Sequence, residues 1–139
     1  MTITIIPNGF PVRKAFFRRM LEPLARRIGL KGTASIRMGS EEESRDLNLR
    51  YRQRETPTDV LSFMNNGQTP DGPYAGDILI CYPVAVQQAR ENGHSVEKEL
   101  LLLMVHGLLH LRGHDHETDR GEMLRLQKEI LKNIVAKDE

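Results

Sequence analysis

Met104-Val105-His106-Gly107-Leu108-Leu109-His110-Leu111-Arg112-Gly113-His114-Asp115-His116 follows an apolar run, Leu100 to Val105, that reads as one buried helix. At about 3.6 residues per turn, residues four apart stack on one face, so His106 and His110 can reach a common ion. Gly113 stands just past the last periodic residue, Leu111, where a helix can end on a positive φ and the chain can turn back. That turn would bring His116 to the same point, giving three nitrogen ligands and one open position. Three protein ligands and an open position are the arrangement of catalytic zinc, whereas structural zinc is usually closed by four. The single cysteine, Cys81, is remote in sequence, which argues against a thiolate site.

The three histidines and the glycine also match the metzincin peptidase pattern H-E-x-x-H-x-x-G-x-x-H, but Gly107 occupies the place of its glutamate base. The metal cradle is present without that base. Buried histidines bonded to backbone groups would be the plain alternative, and the added Gly113 and His116 weigh against it. His114 is expected beside the ligands or at the surface, and His94 in a loop. Asp115 either orients a liganding imidazole or caps the next helix.

These residues carry a resemblance. The string H-G-x-L-H-L-x-G-[Y/H]-D-H is similar to the signature of the YbeY family of bacterial metal-dependent endoribonucleases. Tyr51-Arg52, with Pro57-Thr58-Asp59-Val60-Leu61-Ser62-Phe63, resembles that family's Y-R and P-T-[DN]-V-L-S-F blocks, and Gly76-Asp77-Ile78-Leu79-Ile80 its G-D-[IV]-x-I segment. Met64 departs from the pattern, which usually has Pro there. The resemblance implies a zinc-dependent, single-strand-specific endoribonuclease. It further implies work in 16S rRNA 3′-end maturation and ribosome quality control, with ribosomal RNA and the small subunit as partners. It implies a catalytic role for Arg52, whose guanidinium can grip a phosphodiester through two hydrogen bonds. Ser62 and Asp77 also lie in matching segments, but strand packing and turn formation account for them. The competing readings are a metzincin-like metallopeptidase and a non-catalytic, ribosome-associated RNA-binding factor whose metal only holds the fold.

Composition bounds the rest. A chain of 139 residues is expected to form a single domain, 1–139. No apolar run is long enough to span a bilayer, and Met1 to Pro7 lacks the features of a signal peptide, so a cytoplasmic location is expected. One cysteine permits no internal disulfide. The net charge of +1 hides an asymmetry: residues 1–54 hold 12 Lys/Arg against 5 Asp/Glu, or +7, leaving 8 against 14, or −6, for the remainder. A basic first half suits a polyanion such as RNA, or is simply a solvated helix face.

Periodicity then places the elements. Thr2 to Ile6 reads as a strand ended by Pro7-Asn8-Gly9. From Pro11, the apolar Val12, Phe16, Met20, Leu24 and Ile28 recur at helical spacing beside Arg13, Lys14, Arg18, Arg19, Arg26 and Arg27. Pro23 predicts a kink or restart in that helix, and Gly29 its end. Thr33 to Met38 reads as a second strand, and Ser40 with Glu43 as a capping box opening a helix that runs to Arg52 or Arg54. Asp59 to Met64 is a third strand, residues 65–75 a loop or a plain hairpin connection, and Asp77 to Tyr82 a fourth strand. Pro83 opens a helix that ends at Gly93, and Ser95 caps the metal-bearing helix. A final helix starts near Asp119 and Glu122, with Met123, Leu126, Ile130 and Ile134 inward. The expected fold is α+β: a small four-stranded mixed sheet with about five surrounding helices, the metal-bearing one central.

Overall fold

The structure, a computed structural model, describes residues 1–70 and 72–113, together with Arg125, Lys128, Glu129 and Lys132, which are helical and exposed. Its elements run β1 (Thr2–Ile6), α1 (Lys14–Arg27), β2 (Thr33–Gly39), α2 (Glu41–Arg52), β3 (Val60–Met64), β4 (Gln68–Thr69), β5 (Gly72–Cys81), α3 (Tyr82–Asn92) and α4 (Val96–Leu111). The fold is α+β, with four helices within residues 1–113. The strand order is β1-β2-β5-β3, with β1, β2 and β5 parallel and β3 antiparallel to β5.

The alternation of each strand sorts side chains between two layers. Ile3, Ile5, Ala34, Ile36, Met38, Ile78 and Ile80 join Phe17 and Leu21 of α1, Ala85 of α3 and the apolar residues of α4 in one buried cluster. Met104, Val105, Leu108 and Leu109 are fully buried. Each such side chain contributes about 1.5–3 kcal/mol by leaving water. Leu61 and Leu79 face the other way, toward α2. That helix is mostly polar, and it holds its place by hydrogen bonds. Ser44 Oγ donates to the Thr58 carbonyl and accepts from the Thr58 amide, both at 2.9 Å, and Asn48 Nδ2 donates to the Thr56 carbonyl at 2.7 Å. The Pro57-Thr58-Asp59 stretch is thereby tied down ahead of β3. The Cys81 amide donates to the Asp59 carbonyl at 2.9 Å, and the buried Cys81 stands at the entry to α3.

Several boundaries differ from the sequence reading. Residues 65–75 are not all loop. β4 pairs antiparallel with β5, which begins at Gly72 rather than Asp77, so the sheet gains a fifth strand in a short hairpin. Helix α1 begins at Lys14 rather than Pro11 and runs through Pro23 as one element to Arg27; Gly29 follows at φ +91°. The capping box is half formed. Ser40 Oγ accepts from the Glu43 amide at 3.1 Å, while the Glu43 carboxylate accepts instead from Asn8 Nδ2 at 3.2 Å and lies 3.0 Å from Arg37 Nη2. Ser95 caps α4 as expected, accepting from the Lys98 amide at 3.1 Å. The inward stripe of the expected final helix lies outside the described residues.

Candidate metal centre and active site

Helix α4 carries His106 and His110 at its C-terminal end, where its apolar base gives way to solvent. Both imidazoles are half-buried. Their ring centroids are 4.7 Å apart and their Nε2 atoms 3.1 Å apart. Two unprotonated ring nitrogens facing each other repel, so this approach calls for a shared proton or a shared cation. Two nitrogens each about 2.0–2.1 Å from a tetrahedral zinc would be about 3.3 Å apart, so the pair fits a common ion. His116, His114 and Asp115 lie outside the described residues. Among the described residues alone there is no group of three metal-ligating side chains.

Contacts on both sides fix the end of α4. On the sheet side, Gly107 lies against β5: a Cβ there would stand 2.8 Å from Ile78 Cγ2 and 2.9 Å from Ile78 Cδ1. Ser62 Oγ donates to the Gly107 carbonyl at 3.4 Å. Past the helix, Arg112 Nε donates to the Ile28 carbonyl at 2.8 Å, tying α4 to the end of α1, and Gly113 takes φ +111° as its place after Leu111 suggests. The Gly107 contact bears directly on chemistry. Where the peptidase pattern needs a glutamate, this helix presses on Ile78 with no room for a carboxylate. The sequence shows only that the base is missing; the packing gives the reason.

Arg52 closes α2 and is exposed, and Gln53 after it takes a left-handed conformation at φ 58°. The structure does not bring Arg52 into contact with the histidine pair. It does place both at one end of the sheet. Tyr51 packs edge-on against Phe63 of β3 at 5.0 Å, Ser62 beside it reaches α4, and Met64 pairs with Gly76, whose own missing side chain makes room for Leu111. The edge strand β3 therefore separates the arginine from the imidazoles, and its last residue, Met64, is exposed.

Other titratable groups are accounted for within the fold. His94 does not merely sit in a loop: its Nε2 is 2.6 Å from Oε1 of the buried Glu99, in the first turn of α4. No sequence pattern marks that pair, because a histidine before a cap and a glutamate in a first turn each have ordinary reasons to be there. On the open face of the sheet, Asp77 accepts from Ser35 Oγ at 2.5 Å and from the Tyr74 hydroxyl. Burial, followed by the hydrogen bond to Asp77, pushes the Tyr74 hydroxyl above its ordinary range. Burial likewise pushes the Cys81 thiol up, which favours its protonated form. No helix of the described residues is long and apolar enough to cross a membrane.

Comparison with known proteins places the chain in a family. The model of the endoribonuclease YbeY family matches residues 12–135, a span holding Arg52 and all three histidines. A protein named endoribonuclease YbeY from Koribacter versatilis is 46% identical over 102 residues, covering 73% of this chain and 64% of that protein, so the match spans a little under two thirds of its length. Those so named from Solibacter usitatus and Moorella thermoacetica are 39% and 41% identical, with 84% of this chain matched in each and 76% and 83% of the relatives. The solution structure of TM1509 from Thermotoga maritima has a TM-score of 0.69 at 29% identity, covering 97% of this chain and 90% of its own. With the family model matching residues 12–135 and these relatives 39% and 41% identical over most of the chain, the chain belongs to the endoribonuclease YbeY family.

Proposed function

We propose that the protein is a zinc-dependent endoribonuclease that cuts single-stranded RNA, acting in the cytoplasm on the 3′ end of 16S rRNA and in quality control of the small ribosomal subunit. The observation that carries this reading is the 3.1 Å approach of two imidazole nitrogens at the end of a rigid helix, in a chain of an endoribonuclease family. His106, His110 and His116 would hold one ion with one position open. When bound, it supplies a concentrated positive charge that draws a phosphodiester and makes an attacking oxygen more nucleophilic. The residues supply the rest. The buried flank of α4 holds the imidazoles in place without rearrangement. Arg52, exposed across β3, is accessible to a long anionic strand passing around the sheet edge. There its guanidinium can take two phosphate oxygens and offset charge that develops as the bond breaks.

Elemental analysis of the purified protein, paired with cleavage of single- and double-stranded RNA, tests this. Zinc should be present, and cleavage should be confined to single strands. Arg52→Ala should retain zinc and lose roughly 10²-fold in kcat, while His116→Ala loses zinc and cleavage together. A chelator should abolish cleavage and leave the helical circular dichroism in place. A chelator that unfolds the domain instead would point to a purely structural ion and overturn the proposal.

A further inference from the structure

The last turn of α2 holds an aromatic ring out in solvent. Tyr51 is 60% exposed, whereas Phe63, against which it packs at 5.0 Å, is half-buried. The two rings meet edge to face at 63°, and whichever of them supplies the edge, at least one face of Tyr51 stays uncovered. The ring is nonetheless held. Phe63 is fixed in the sheet opposite Asp77, and Asn48, one turn before Tyr51, is tied to the Thr56 carbonyl at 2.7 Å. The surroundings are basic: residues 49–56 hold Arg50, Arg52 and Arg54 against one acid, Glu55, all of them exposed. A lone tyrosine at a surface is an ordinary feature. One set among three arginines has the composition of a single-strand binding site, an aromatic face within a positive field.

We propose that Tyr51 is a stacking platform for one unpaired base of the RNA strand, next to a phosphate taken by Arg52. The inference rests on the reading of the protein as a single-strand endoribonuclease, and it gives that selectivity a physical source. Consecutive residues of a helix point about 100° apart. One turn of backbone therefore offers the ring and the guanidinium in two directions, as the alternation of base and phosphate along a strand requires. In a duplex each base is covered on both faces by its neighbours, whereas in a single strand a base can turn out onto an aromatic ring. Every base has such a face, so the platform selects unpaired over paired RNA without choosing a base. Met64, exposed at the same end of β3 and turned to the opposite face of the sheet, continues the apolar surface around the edge toward α4.

The test measures binding of fluorescently labelled oligouridine, about six nucleotides long, to the full chain with a chelator present, so that binding is read without cleavage. Tyr51→Leu keeps an apolar contact with Phe63 and removes the aromatic face; it should weaken binding about tenfold. Tyr51→Trp should bind as tightly as the native chain or more tightly. A strand of the same length whose sugars carry no bases should bind the native chain and Tyr51→Leu alike, and Arg52→Ala should weaken both strands. Circular dichroism confirms that each variant is folded. The platform is disproved if oligouridine does not bind the native chain, or if Tyr51→Leu binds it as well as the native chain does. It is also disproved if Tyr51→Leu weakens the base-free strand equally, which would make Tyr51 only a support for Arg52. A native chain that fails to cut single-stranded RNA loses the nuclease reading and the platform with it; one that cuts it while Tyr51→Leu binds unchanged keeps that reading and loses the platform alone.

Discussion

The two ends of helix α4 each hold histidine, and the contrast between them shows what separates a structural imidazole from a candidate ligand. At the first turns, His94 meets Glu99 at 2.6 Å, and Asn92 Nδ2 also donates to that carboxylate at 3.5 Å. Donor and acceptor are both supplied by the chain. At the last turns, two imidazoles meet each other nitrogen to nitrogen at 3.1 Å. A shared proton or a shared cation reconciles two such nitrogens. The first contact joins an imidazole to a carboxylate, and the second joins two groups that can both serve as metal ligands.

The sharpest way to break the comparison is to remove one imidazole from each end. His110→Ala should lower RNA cleavage by more than about 10³-fold and abolish metal retention, while His94→Ala leaves cleavage per folded molecule unchanged. Equal losses from both variants would erase the distinction. Next in size is Glu99→Ala, which strips a buried acceptor from His94 and Asn92 and should cost about 2–3 kcal/mol in urea unfolding. Glu99→Gln, which keeps an acceptor, should cost less.

A smaller effect is expected on the sheet side of the end that carries His106 and His110. Gly107→Ala forces a methyl group to within 2.8 Å of Ile78. Overpacking of about 1–3 kcal/mol is offset by the roughly 1 kcal/mol that alanine gains over glycine in a helix. A net loss of up to about 2 kcal/mol should follow, recovered in part by Ile78→Val. The same stability in both backgrounds would show that the contact does not constrain α4.

The smallest effect belongs to the open face. Because the Tyr74 hydroxyl ionises at higher pH in the folded protein than in the unfolded chain, folding retains a proton that the unfolded chain has lost. Stability from this group is fully present below the unfolded value near pH 10 and is lost as pH rises through the raised folded value. Titrating the unfolding midpoint above pH ~9 should show this decline, and Tyr74→Phe should flatten it.

Much of this was legible in the residues. The period of α4, the caps at Ser40 and Ser95 and the i, i+4 histidines are local features, and local physics places them. A hairpin connection over residues 65–75 was legible, but the strand pairing inside it was not, because Gly72 and Pro73 compose a loop by every local rule. They belong to β5 because β2 and β4 pair with it there, and because a side chain at Gly76 would strike the Phe63 carbonyl. Pro23 does not restart the helix: packing of Phe17, Leu21, Leu24 and Ala25 holds α1 together on both sides of it. The role of Arg52 came from likeness to a family, since an exposed arginine at a helix end has no periodic signature. His94 and Glu99 were hidden because their meeting depends on how α3 turns into α4.

The protein's single thiol offers a clock. Cys81 lies 1% exposed where β5 enters α3, held through its amide to Asp59. A thiol-reactive dye can modify it only after strand and helix part, so the labelling rate reports how often the central sheet opens. Fraying of either end of α4 would leave that rate untouched.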